Sequence, residues 1–199
     1  NGILELEAGP AIPLDEEKWG EALAKSGVTV GALIYCRNYI SDDPAEARLH
    51  TDALTERIRF AGKMGIGKVV CSAGQLNRSV EGLAYHPEKS SDASVAFFSR
   101  MAELAEKNDV RLCFEMCPWM WNIAMAPNMW DQLLTRIGSD RVGLCYDPSH
   151  LVWQMIDPYR VLKNYREKIF HVHGKDTQID RDALDLLGVL QNTGWWRHR

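Results

Sequence analysis

Three polar residues close three short apolar runs, and their types point to a cation. Glu115 follows Val110-Arg111-Leu112-Cys113-Phe114, Asp147 follows Val142-Gly143-Leu144-Cys145-Tyr146, and His173 follows Ile169-Phe170-His171-Val172. Two carboxylates and an imidazole supply oxygen and nitrogen donors suited to a divalent cation. Each residue has an ordinary alternative. Glu115 could be a salt-bridged strand end, Asp147 the cap of a helix starting at Pro148-Ser149, and His173 a satisfied core histidine. The repetition of one position at three successive run ends favours the cation.

Other groups lie close by in sequence. His150 falls one turn into the helix after Asp147, where it could touch a metal or a substrate hydroxyl, or simply pair with Asp147. Lys175-Asp176 follow His173, with a surface ion pair as the competing reading. Trp119, Trp121, Trp153, Trp195 and Trp196 follow these runs, and their flat faces suit the C–H faces of sugars. Core packing or a subunit contact is the alternative, preferred for Trp130. Residues two apart on a strand share a face, so Glu115 goes with Cys113, Asp147 with Cys145 and His173 with His171. If those faces point inward, the cysteines are core residues one layer down, in preference to thiolate ligands, and His171 orients a ligand. The chain has no serine nucleophile motif, CxxC pair or phosphate-binding glycine loop. Gly65-Ile66-Gly67 precedes a strand, unlike a dinucleotide fingerprint.

The elements that must position these groups alternate. Ile3–Glu7 reads as a strand, Asp15–Ser26 as a helix capped by Asp15 and stopped by Gly27, and Val28–Ile34 as a buried strand. A long helix starts at Ser41-Asp42-Asp43-Pro44 and ends near Met64, before Gly65. Val69-Val70-Cys71 is a strand, Leu76–Ser91 a polar loop and Asp92–Asn108 a helix. The three key strands follow, separated by helices near Asn128–Ile137 and Pro158–Tyr165. Arg181–Arg199 reads as a mobile or inserted tail. Six strands alternating with helices, each of the last three ending in a polar residue, describe an α/β chain of the (β/α)8 TIM-barrel type. Such barrels keep their chemistry at the C-terminal strand ends and take eight strands in about 250 residues. One domain over residues 1–199, lacking the first and last strands, is the simplest account.

The chain has 199 residues, 46% apolar and 25% charged, with a net charge of −4 and no run of either sign. That composition fits a globular protein and gives no footprint for nucleic acid or an anionic membrane. No apolar run approaches the roughly 18 residues that span a bilayer. Five cysteines, an odd number with several inside strands, argue against a disulfide framework and for a reducing cytoplasm.

Cys113-Phe114-Glu115-Met116-Cys117-Pro118, Tyr146-Asp147-Pro148-Ser149-His150-Leu151 and His171-Val172-His173-Gly174-Lys175-Asp176 resemble the sugar phosphate isomerase/epimerase family with the xylose isomerase-like TIM barrel. The resemblance implies one divalent cation (Mn, Mg, Co or Zn) held by two glutamates, an aspartate and a histidine on strands five to eight. Glu115, Asp147 and His173 match three of these ligands. The fourth, a glutamate on the eighth strand, has no counterpart before Arg199, so the expected site is incomplete. His150 matches a residue that touches metal or substrate. The family's chemistry is removal of a proton beside a carbonyl through an enediolate, with Glu115 or the absent glutamate as acid/base. Lys175, Arg197 and Trp119 are expected to bind the substrate, a small sugar or keto-polyol. An inosose-type dehydratase and a non-catalytic barrel are the alternatives. An endonuclease IV-like nuclease needs more zinc ligands and a basic face. A homo-oligomer stays open.

Overall fold

A computed structural model describes residues 4–76, 87–118 and 122–189, together with the backbone of 196–198. Its frame is a parallel sheet of six strands that follow one another in chain order: β1 (Glu5–Ala8), β2 (Thr29–Ile34), β3 (Lys68–Cys71), β4 (Arg111–Glu115), β5 (Val142–Tyr146) and β6 (Ile169–Val172). Helices return the chain between them: α1 (Glu16–Ser26), α2 (Pro44–Met64), α3 (Pro87–Lys107), α4 (Pro127–Ile137), α5 (Pro148–Trp153) and α6 (Pro158–Tyr165). Sequential parallel neighbours joined by helices are the build of a (β/α)8 barrel, with six of its strands among the described residues.

The helix ends follow local chemistry. Asp15, Asp43, Asp147 and Asp157 cap α1, α2, α5 and α6 by accepting from backbone N–H groups of the first turn, and Pro occupies the first helical position in the last three. Gly27 and Gly65 close α1 and α2 in the left-handed conformation that a side chain disfavours.

Two expectations need correction. Helix α3 begins at Pro87, not Asp92, so part of the stretch read as a polar loop is helical. Its polarity misleads because Ser90, Ser91 and Ser94 are buried with partners elsewhere in the fold. Ser94 Oγ donates to the Ala73 carbonyl, Ser90 Oγ accepts from Leu76 N–H, and Ser91 Oγ accepts from Arg136. The tail, read as mobile or inserted, carries regular elements where it is described. Asp180 caps α7 (Arg181–Leu187), and β7 (Thr177–Ile179) pairs antiparallel with β8 (Trp196–His198), apart from the main sheet.

The core is asymmetric across the sheet. Outward side chains such as Leu112, Phe114, Val142 and Leu144 join a large apolar cluster with the helices, including Trp130, which is 0% exposed. Inward side chains form a small cluster of Ala32, Cys36, Val70, Cys113 and Cys145, with Ile34 and Phe170 against it. All five cysteines are buried.

Two register shifts modify the alternation. Leu6 pairs with Val30 but Glu7 pairs with Ala32, leaving Gly31 as the extra residue of β2. Leu144 pairs with Ile169 but Cys145 pairs with His171, leaving Phe170 as the extra residue of β6. The second shift has a steric counterpart. A Cβ on Gly143 would sit 2.4 Å from the Lys168 carbonyl oxygen and 2.5 Å from the Phe170 ring, so only glycine admits that ring. The Arg111 guanidinium stacks on the same ring, 4.6 Å from the centroid. With Phe170 turned inward as a bulge residue, His171 and His173 face inward too.

Candidate metal centre

Glu115 closes β4, Asp147 follows β5 and His173 follows β6, and the sheet brings all three together. His173 Nδ1 lies 2.9 Å from Glu115 Oε2 and 3.7 Å from Asp147 Oδ2. Glu115 is 4% exposed and Asp147 0%. Asp147 divides its work: Oδ1 accepts from the Ser149 backbone and hydroxyl, which leaves Oδ2 turned to the centre. The capping role is thus fulfilled by Oδ1, and it leaves Oδ2 available to the centre.

His150 and Lys175 join the same group. His150 Nε2 lies 3.5 Å from Asp147 Oδ2 and 3.9 Å from Glu115 Oε1, and Trp153 Nε1 donates to its Nδ1. Lys175 was expected either at the rim or in a surface ion pair. Its Nζ instead reaches Asp147 Oδ2 at 2.8 Å and His150 Nε2 at 3.3 Å, while Asp176 accepts from the Thr177 backbone. Trp119 lies outside the described residues. Of Arg197 only the backbone is described, in β8 opposite Gln178. Trp121 and Trp195 also lie outside, and Trp196 is described in its backbone alone. Trp130 is a core residue whose Nε1 donates to the Ala124 carbonyl.

Two participants went unnoticed in the sequence. Glu7, near the end of β1, accepts from His171 Nε2 at 3.1 Å and His173 Nε2 at 3.0 Å. The strand-end rule that singled out the other three would have found it had it been applied to the first run. Asn122 is buried after β4, and its side chain bonds to four backbone groups. Nδ2 donates to the Glu115 and Cys117 carbonyls, and Oδ1 accepts from Ala73 N–H and Ala124 N–H. It ties the end of β3 to the turn that carries Glu115. No spacing in the sequence announces it.

Mutual contacts set the charges within the group. Burial opposes ionisation of Glu7, but its contacts with His171 and His173 lower its pKa to about 2. Burial likewise opposes the Asp147 charge, yet His173, Lys175, Ser149 and His150 hold that carboxyl well below the usual range. Burial disfavours the His173 cation, but Asp147, Cys145, Glu115 and Glu7 outweigh it and raise its pKa far above the ordinary value. Burial pushes the Cys145 thiol up to about 12, so at neutral pH it is a protonated core thiol beside the site.

Even so, Glu115 Oε1, Glu115 Oε2 and Asp147 Oδ2 are buried and accept no well-formed hydrogen bond among the described residues, although His173 Nδ1 and Lys175 Nζ lie within ion-pair distance of them. Buried carboxylate oxygens without donors are costly unless a cation meets them. Among the described residues, three sets bring ligand atoms within 4.8 Å of one another: Glu115-Asp147-His150, Glu115-Cys145-His173 and Glu7-His171-His173. The donor set is chiefly oxygen and imidazole, which fits a hard or borderline divalent cation.

Known proteins share this frame. Uncharacterized protein YfiH of Bacillus subtilis (strain 168) is 26% identical over 208 residues, covering 92% of this chain and 65% of that protein. An inosose dehydratase of Geobacillus thermodenitrificans (strain NG80-2) is 25% identical over 188 residues, covering 90% of this chain and 61% of the enzyme. The solved structure of an L-ribulose 3-epimerase superposes with a TM-score of 0.72 at 22% identity, over 86% of this chain and 59% of the epimerase. The chain thus spans less than two thirds of the length of each of these proteins. Among the described residues no helix is long and apolar enough to cross a membrane. The profile of one family runs across the whole alternating frame, from residue 4 to residue 199, and by that match the chain belongs to the xylose isomerase-like TIM-barrel family.

Proposed function

We propose that this chain carries the cation-binding part of a divalent-metal-dependent isomerase or epimerase acting on a small sugar or keto-polyol. The observation that carries this reading is the convergence of Glu115, Asp147 Oδ2 and His173 Nδ1, with three buried carboxylate oxygens that accept no well-formed hydrogen bond among the described residues. Glu115, Asp147 and His173 would hold the ion, Mn, Mg, Co or Zn. When bound, the ion polarises a substrate carbonyl as a Lewis acid and makes the neighbouring C–H acidic.

The chain's own groups do the rest. Glu115 is the acid/base for the proton beside the carbonyl, its buried carboxylate facing the centre. Lys175 Nζ and His150 Nε2, 2.8 and 3.5 Å from Asp147 Oδ2, would be close enough to the centre to take substrate oxygens. Trp119 and Arg197 complete the substrate contacts in this reading, the first as an apolar sugar platform. The inosose dehydratase relative favours a second reading on the same site, in which proton removal is followed by loss of water.

The test is a cation titration with Mn²⁺, Co²⁺ and Zn²⁺, followed by incubation of the loaded protein with ketoses and keto-polyols in deuterated water. Saturation at a single equivalent, with deuterium entering the carbon beside the carbonyl, supports the isomerase/epimerase reading. Release of water from a keto-polyol moves the assignment to the dehydratase. Failure to bind any of the three ions leaves a non-catalytic barrel.

A further inference from the structure

Glu7 stands opposite the rest of the centre. It lies on β1 and His171 and His173 belong to β6 and its C-terminal end, at the two ends of the sheet order. The strands are not hydrogen-bonded neighbours, yet one carboxylate oxygen, Glu7 Oε2, accepts from both imidazoles across 164 and 166 residues of sequence. Both sides of this contact follow a register shift. One aligns Glu7 with inward-facing Ala32, and the other turns His171 and His173 inward. The sheet departs from regular pairing at the places that bring these three side chains together.

The two nitrogens of His173 have different surroundings. Nδ1 faces the buried Glu115 carboxylate and Asp147 Oδ2, while Nε2 donates to Glu7. An imidazole is rigid, so fixing Nε2–H on a carboxylate fixes the direction in which Nδ1 points. Were a cation to displace the Nδ1 proton, the same contact would keep Nδ1 directed at the centre. His171 braces the same oxygen from the side, its ring perpendicular to that of His173 at 5.4 Å.

We infer that Glu7 is a positioning residue for the cation. Through His173 Nε2 it orients and polarises the imidazole that ligates by Nδ1, and His171 holds Glu7 in place. This inference rests on the cation reading above and adds a residue to it. A carboxylate behind a ligating histidine is commonly worth a factor of about 10–100 in metal affinity. Glu7 is not itself a ligand in this arrangement, since its oxygen is taken up by two N–H donors.

The experiment is Co²⁺ titration of the 199-residue chain, read by affinity and by the visible absorption of the bound ion, for wild type, Glu7→Ala, Glu7→Gln and Glu115→Gln. Circular dichroism monitors folding. The expected result is a loss of about 10–100-fold for Glu7→Ala with a changed cobalt spectrum. Glu7→Gln keeps an acceptor for Nε2–H and should recover part of both. Should Glu7→Ala fail to fold, Glu7→Gln against wild type carries the test, because loss of negative charge alone must weaken binding. Wild-type affinity and spectrum in both Glu7 variants would overturn the inference while leaving the cation reading standing. If Glu7→Ala abolishes binding and Glu115→Gln does not, the ion sits on Glu7, and the positioning role is refuted. A wild-type chain that binds no Co²⁺ removes the cation reading and this inference with it.

Discussion

The two faces of the six-stranded sheet divide the labour of the molecule. On the outer face Leu112, Phe114, Val142, Leu144 and Tyr146 pack with the helices in a continuous apolar core. Phe114 meets Phe98 edge-on with centroids 4.7 Å apart, and Phe98 meets Phe97 in the same way at 5.0 Å. On the inner face the same strands carry Cys113 and Cys145 on a thin apolar floor, with Glu115, Asp147 and His173 above it. Burial of large apolar surface stabilises the first face, while the second holds buried carboxylates whose charges are balanced by His171, His173 and Lys175. Adjacent residues on one strand therefore serve opposite ends, and a one-residue slip would exchange them.

Substitutions can break or sharpen that contrast. Phe114→Ala empties the outer core and should cost about 3–5 kcal/mol in denaturant unfolding, with the cation stoichiometry of the folded chain unchanged. Glu115→Gln, one position along, should do the reverse. Cation affinity falls by more than the roughly 100-fold that a partner behind a ligand can account for, and the metal-free chain melts close to wild type. If Glu115→Gln unfolded the chain as Phe114→Ala does, the division between faces would be wrong. Asn122→Ala removes a side chain that serves both. Four backbone groups lose their partner, at about 2–3 kcal/mol of stability, and cation affinity drops because the Glu115 backbone is released.

Gly143→Ala tests the bulge. Its methyl group would press on the Lys168 carbonyl and the Phe170 ring, costing about 1–3 kcal/mol and weakening cation binding through displacement of β6. The smallest effect belongs to the outer layer at high pH. The Tyr165 hydroxyl donates to Asp131 at 2.8 Å, and burial together with that carboxylate raises its pKa to about 12. The folded chain holds this proton more tightly than the unfolded one, whose tyrosine titrates at about 10. The contribution is thus whole below pH ~10 and lost as pH rises through 12. Alkaline melts of Tyr165→Phe should be flatter over that interval than those of wild type.

Much of this was readable from local pattern. Apolar runs of strand length, aspartate-proline and glycine at helix boundaries, and polar residues after Phe114, Tyr146 and Val172 identified the alternating frame and three members of the centre. These signals work because they are short-range: a cap, a glycine turn and a strand end are each decided within a few residues. The start of α3 was missed because buried serines look polar in sequence, and only the backbone that follows β3 shows where their hydroxyls go.

The facing of His171 and His173 was decided by tertiary structure alone. Regular alternation from Ile169, which packs on the outer core, would have turned both histidines outward. The bulge at Phe170, admitted by the bare Cα of Gly143 on the neighbouring strand, turns them in. Glu7 belongs to the same class of fact. Its role depends on a contact across 166 residues that exists only once the sheet has curved its first strand toward its last. Periodicity along one strand specifies which residues share a face; the pairing of strands and the bulges that fit them specify which face it is.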